Sequence, residues 1–132
     1  MPLQVTALYA GLLCLIGLVL SGLVGQTRGR LGISLGDGGN RELIEANRRH
    51  MNWVELVPFI LILLAIIELN GGSKTWLHTM GAVLVVARVF HPFGISTEKM
   101  MMPQRMIGAV GTTLVAAAAI VTVLWQFASR PG

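Results

Sequence analysis

The sequence predicts an all-α integral membrane protein, a four-helix transmembrane bundle built as a single domain over residues 1–132. Three observations predict it. Hydrophobic side chains make up 54% of the chain and charged ones only 12%, whereas a soluble domain carries roughly a quarter charged residues. Three apolar runs, Val5–Val24, Trp53–Leu69 and Met106–Phe127, come close to or reach the about 20 residues that a helix needs to cross a bilayer. The basic residues, finally, collect in two of the three connections, as they do in a chain that crosses a membrane several times.

The first run has no basic residue before it and no small-x-small cleavage pattern after it, so it reads as a retained helix and not a secretory signal. Cys14 lies inside it as the sole cysteine, which leaves no internal disulfide and no cysteine-based metal site; it is expected as a small buried side chain. Gly25–Asn40 is polar and rich in glycine and is expected to be a mobile loop. It lacks the GxxxxGK[ST] order of a phosphate loop. Gly38-Gly39 reads instead as a turn that delivers Asn40 as the N-cap of a second helix beginning at Arg41.

That second helix runs to Leu69, where Asn70-Gly71-Gly72-Ser73 ends it, so it outlasts its apolar run and projects from the membrane. The connection to the third run is short, which predicts that the second and third helices are antiparallel neighbours. The third run, 75–93, is the weakest by hydropathy because His78, Arg88 and His91 interrupt it. A second loop covers Gly94–Met102, and Pro103 precedes the last helix.

A net charge of +4 would suggest nucleic acid in a soluble protein, but the cations form no stripe with interleaved aromatics, so no nucleic-acid partner is expected. They follow topology. Arg28, Arg30, Arg41, Arg48 and Arg49 belong to the first connection, and Arg88, Lys99 and Arg105 to the third, while Lys74 and Arg130 face the other side. Enrichment of Lys and Arg in cytoplasmic loops then predicts a multi-pass protein with both termini non-cytoplasmic.

The chemistry concentrates on the second helix. At 100° per residue, Arg41, Glu45, Arg48, Asn52 and Glu55 fall within about 80° of one another. Glu55 lies inside the apolar run, just before a helix-kinking Pro58; a carboxylate exposed to lipid there costs several kcal/mol and needs a partner. Arg48, Arg88 and Arg105 are the available cations. The stripe is either an ion-paired cross-link between helices or a polar pocket for an anionic ligand. The surplus of Arg28, Arg48, Arg88 and Arg105 over Glu45 and Glu55 favours the pocket. Arg88, near the end of its run, could alternatively snorkel to the headgroups. His78, with Trp76, Trp53 and Trp125, reads as an interfacial belt.

Arg48-Arg49-His50-Met51-Asn52-Trp53-Val54-Glu55 with the following Pro58 resembles the R-A-H-x-N-x-x-E motif of the membrane-associated proteins in eicosanoid and glutathione metabolism, the MAPEG family. Ala87-Arg88-Val89-Phe90-His91 is similar to that family's third-helix segment, and Gly25-Gln26-Thr27-Arg28 is a weaker match at the end of the first helix. The short chain looks like the bacterial members. The resemblance implies a homotrimer in a bacterial inner membrane, with glutathione bound as co-substrate between subunits near the cytoplasmic face. It implies a transferase or peroxidase acting on hydrophobic electrophiles in the bilayer, with lipid as its other contact.

Carried over residue by residue, Arg48, Asn52 and Glu55 would bind the peptide, Glu55 accepting from its amine and Arg28 and Arg48 pairing its carboxylates. Arg88 and His91 would complete the pocket, and Arg105 would be the catalytic group that stabilises the thiolate. The family's tyrosines after the motif glutamate and after the third-helix histidine are replaced by Leu56 and Ile95. That departure leaves a non-catalytic lipid-binding or scaffold member as the alternative. A small multidrug exporter fits less well, because the first span carries no carboxylate.

Overall fold

A computed structural model of the protein describes residues 2–99 and 102–129. Four helices form, α1 (Gln4–Leu31), α2 (Arg41–Leu69), α3 (Lys74–Phe90) and α4 (Pro103–Ala128), with a 3₁₀ turn at His91–Gly94 that extends α3. Among the described residues there is no strand. α1, α2 and α4 are each long and apolar enough to cross a bilayer. α3 is shorter, at 17 residues, in keeping with its interrupted run.

The caps follow the sequence at most ends. Asn40 Oδ1 accepts from the Leu43 N–H at 3.2 Å and opens α2. α2 closes into Asn70 and Gly71, the latter at φ +74°, a conformation that glycine adopts without steric cost. Ser73 caps α3 through the Trp76 N–H, and Pro103 starts α4 with the missing donor that a first turn tolerates. The loop expected from Gly25 does not begin there. α1 continues to Leu31, because no residue before Gly32 (φ +68°) breaks it and the Thr27 hydroxyl folds back on the Leu23 carbonyl at 2.8 Å.

α1 packs against α2 and α3, and α4 packs against the same two helices from the other side. The expectation that α2 and α3 are close neighbours fails: of the packed helix pairs they touch least, lying across the diagonal of a four-sided bundle. Their short connection passes over the end of α4, where Gln126 Nε2 donates to the Ile67 carbonyl. Val5, Tyr9 and Leu13 of α1 meet Ile60, Leu64 and Ile67 of α2 and Leu77, Met80 and Leu84 of α3 in the core. In lipid such contacts depend on close packing more than on any gain from leaving water, so small residues mark the nearest approaches. Gly81 is covered by the Tyr9 ring, Gly17 by the Trp53 ring, and Gly108 by His91.

Cys14 is exposed on α1, not buried. It stands about 100° around the helix from the fully buried Leu13. Trp53, expected in an interfacial belt, packs instead on Gly17. His78 keeps an exposed position but shares a 3.0 Å hydrogen bond with the Tyr9 hydroxyl. Arg130 lies outside the described residues.

One tertiary cap stands out at the end of the bundle away from the basic loops. Leu3 gives α1 no side-chain cap. The Glu68 carboxylate takes its place, accepting from the Val5 N–H at 2.8 Å and the Thr6 N–H at 2.7 Å. Negative charge is favoured at this terminus by the helix dipole. Glu68→Ala is expected to cost about 1 kcal/mol, the usual worth of a cap, read as a lowered thermal midpoint in detergent; an unchanged midpoint would show that the capping adds nothing to stability.

Candidate functional site

The basic end of the bundle is organised by the N-terminal half of α2. Arg48 and Arg49 are successive residues, so their side chains leave the helix about 100° apart and serve different neighbours. Arg49 turns toward the second loop: its Nη2 donates to the Ile95 carbonyl at 2.9 Å and to Glu45 Oε2 at 3.2 Å. Glu45 also accepts from the Thr97 N–H at 2.6 Å and the Thr97 hydroxyl at 3.0 Å. Glu45 precedes the apolar run of α2, and its carboxyl is held below the usual carboxylate range by the Thr97 N–H first, then by the hydroxyl and Arg49. The three groups fasten the second loop to α2.

Arg48 turns outward. Its guanidinium pairs with Glu55 at 3.6 Å, with side-chain exposures of 58% and 47% respectively. The partner the sequence demanded for Glu55 is therefore on its own helix, two turns earlier, and the pair is about half-exposed at the level where the apolar run begins. Arg41 leaves the stripe to meet Glu98 at 3.7 Å in an exposed ion pair.

A cleft of about 180 Å³ opens between α2, the second loop and the start of α4, and Arg48, Asn52, His91 and Arg105 all line it, with Glu45, Ser96 and Thr97. The 3₁₀ turn makes this convergence possible. Gly94 lies so close to the backbone of Arg105 that no side chain fits between them, and Gly108 lies equally close to His91. His91, 5% exposed, and Arg105 are thereby locked to one wall.

The other three predicted site residues do not line it: Glu55 reaches it only through its pairing with Arg48, and Arg28 and Arg88 are elsewhere. Arg28 Nη1 donates to the carbonyls of Ile33 at 3.3 Å and Gly36 at 2.8 Å, and its Nη2 approaches Asn47 Oδ1 at 3.4 Å. Within one chain it fastens the first loop and does not enter the cleft. Arg88 does not snorkel: it is 2% exposed. Its Nη1 donates to Asn52 Oδ1 at 2.8 Å, and its Nη2 reaches Thr112 Oγ1 at 2.5 Å and the Gly108 carbonyl at 3.3 Å. It stands behind Asn52, joins α2, α3 and α4, and touches the cleft only through that amide.

Sequence reasoning missed Arg49 and Thr97 at this end and Thr112 inside the bundle. Glu45 and Arg49 are spaced i, i+4, which was a readable pairing signal. Thr112 stands in an apolar stretch of α4, where a hydroxyl can bond to its own helix, as it does to the Gly108 carbonyl at 2.7 Å; nothing in the sequence tied it to Arg88.

The stripe, the third-helix arginine and histidine, and the arginine at the head of the fourth helix thus sit at one end of a single bundle. Residues 6–125 match the sequence model of the MAPEG family. The chain belongs to that family. It is 37% identical over 91 residues to the inner membrane protein YecN of Escherichia coli K12, which covers 69% of this chain and 70% of the relative. YecN of Escherichia coli O6:H1 matches to the same extent. No solved structure matches. In this MAPEG protein the two positions expected to hold tyrosine are Leu56, exposed beside Glu55, and Ile95, which lines the cleft. The hydroxyls at the cleft come from Ser96 and Thr97 instead.

Proposed function

We propose that the protein is a glutathione-dependent membrane transferase, with peroxidase activity where the substrate is a hydroperoxide, and that it works as a homotrimer with glutathione held between subunits. The observation that carries this reading is the cleft in which Arg48, Asn52, His91 and Arg105 converge. Two guanidinium groups and an amide suit the carboxylates and peptide groups of a small acidic tripeptide. Arg105 beside the sulfur lowers the thiol pKa and holds it as thiolate. With a carbon electrophile the thiolate forms a carbon–sulfur bond and the displaced or ring-opened group takes up a proton. With a hydroperoxide it attacks the terminal oxygen, and the alkoxide leaves and is protonated. A second glutathione then converts the resulting sulfenic acid to the disulfide with release of water.

The trimer rests on a second physical argument. A single chain leaves the Arg48–Glu55 pair on its outer surface at the edge of the apolar run, where contact with lipid is costly. A neighbouring copy covering that face removes the cost and brings a second set of side chains to the cleft. Arg28 of a neighbouring copy is the natural candidate to meet the remaining carboxylate. The basic loops, by the same reading, face the cytoplasm.

Calorimetric titration of glutathione into the detergent-purified protein tests this. Binding should weaken at least about tenfold in Arg48→Ala and in Glu55→Ala, the loss expected when one charge-assisted contact is removed. The ultraviolet absorbance of bound thiolate should disappear in Arg105→Ala. An intact protein that binds no glutathione would sink the proposal. The replacement of both tyrosines by Leu56 and Ile95 favours a second reading, a lipid-binding scaffold without thiol chemistry. It separates from the first because Arg105→Ala would then leave ligand affinity intact and have no activity to remove.

A further inference from the structure

A second concavity lies on another side of the bundle, between α1 and α3, with a volume of about 470 Å³. Leu15, Val19 and Leu23, spaced by four on α1, form one wall, and Val89 and Phe93 form the other. All five are exposed in the chain, Phe93 to 71%, so the groove opens sideways toward the membrane. Among the described residues, its polar lining is Arg49 and Arg88, at the basic end, and no carboxylate lines it.

Both arginines carry a buried Nε–H that finds no acceptor. Arg88 spends its other nitrogens on neutral oxygens of Asn52, Thr112 and Gly108, so its charge meets no anion. Arg49 has Glu45, but that carboxylate also serves two groups of Thr97. Unsatisfied buried donors are uncommon and point to a missing partner. An apolar trough running into the membrane, closed at headgroup level by two guanidinium groups that each have a donor to spare, is complementary in shape and charge to an anionic lipid.

We propose that the α1–α3 groove binds one acyl chain of an anionic glycerophospholipid, with its phosphodiester at Arg49 and Arg88. The volume is within the roughly 300–1,000 Å³ of sites that enclose a single small molecule or chain. The lateral opening leaves the second chain in the bilayer. Guanidinium groups recognise phosphate through paired donors, which a diffuse attraction to the membrane surface lacks. The groove opens on a different side from the cleft of Arg48 and Arg105, which lies between α2 and α4, and the two meet only through the Arg88–Asn52 hydrogen bond.

The test uses full-length protein in phosphatidylcholine vesicles carrying trace chain-spin-labelled lipids, with the motionally restricted fraction as readout. Labelled phosphatidylglycerol should be selected over labelled phosphatidylcholine by about tenfold, and the preference should persist at high salt, where diffuse surface attraction is screened. Arg49→Gln should bring the two labels close to equal. Val19→Trp fills the groove without touching a charge; it should remove the selected lipid while leaving glutathione titration as in the wild type, so a folding defect is recognisable. Selectivity that vanishes at high salt, or survives both variants, overturns the proposal. So does a stronger preference for labelled stearate than for phosphatidylglycerol, which assigns the groove to a free carboxylate.

Discussion

Gly108→Ala is expected to lower stability sharply and to abolish ligand binding at the cleft. A Cβ at this position runs into the Cβ and backbone of His91 and comes within 2.9 Å of the Ala87 carbonyl. None of these atoms is the end of a flexible side chain, so α3 and α4 must separate. Overpacking costs about 1–3 kcal/mol where side chains can adjust, and more where backbone must move. The Gly108 carbonyl is also an acceptor for both Thr112 and Arg88, and His91 and Arg105 share the wall that would shift.

Two other glycines calibrate the effect. Gly111→Ala meets the Ala87 methyl at 3.0 Å, with the Ala87 Cα and a Val83 methyl no closer than 4.0 Å, and should cost less. Gly22→Ala meets nothing within 4 Å and should be neutral or stabilising by up to about 1 kcal/mol from helix propensity. Thermal midpoints of the three variants in detergent, with glutathione titration of each, check the order. If Gly108→Ala proves as stable as Gly22→Ala, the close contact between α3 and α4 does not exist as described.

Arg88→Ala is expected to be comparably damaging, for the opposite reason. It leaves a void among three helices and removes the donor from Asn52 Oδ1. A cavity left by a large buried side chain costs about 2–5 kcal/mol, and a buried acceptor left without its donor adds about 1–3 kcal/mol. Arg88→Met, which fills the space without a charge, should recover part of that loss. Arg88→Lys should not, because a single ammonium cannot span Asn52 and Thr112 as a fork of nitrogens does. Ligand affinity should fall in all three variants, since Asn52 loses the group that orients it. Denaturation of each variant in detergent reads the stability ranking, and a wild-type midpoint for Arg88→Ala would remove its role as a cross-link.

Much of this protein could be read without coordinates because its strongest signals are local. Apolar runs at bilayer length required helices, Asn40 and Pro103 announced where two of them begin, and Gly71 where one ends. Arg48, Asn52 and Glu55 could be placed on one side of α2 by periodicity alone. The need of a carboxylate at position 55 for a cation follows from the cost of placing charge in lipid, and Arg48, two turns earlier on the same face, is within reach. Where local signals were weaker the reading slipped. Gly25 and Gly29 suggested a loop, but isolated glycines inside an otherwise helical stretch do not stop it, and α1 ran on to Gly32.

What one helix does to another was decided only by tertiary structure. Arg28, Arg48 and Arg88 are the same residue type, each near a helix end, and as cations beside a polar stripe the sequence could not tell them apart. In the folded chain Arg28 fastens a loop by its carbonyls, Arg48 faces outward with Glu55, and Arg88 is enclosed by Asn52, Thr112 and the Gly108 carbonyl. These fates depend on which neighbour fills the space within reach of a long side chain, and that neighbour comes from a distant part of the sequence. Apolar runs and the placement of charge are enough to specify a helical membrane protein with a basic, polar end. The close approaches at Gly94 and Gly108, set by packing between α3, its 3₁₀ turn and α4, decided which of the polar residues share a cleft.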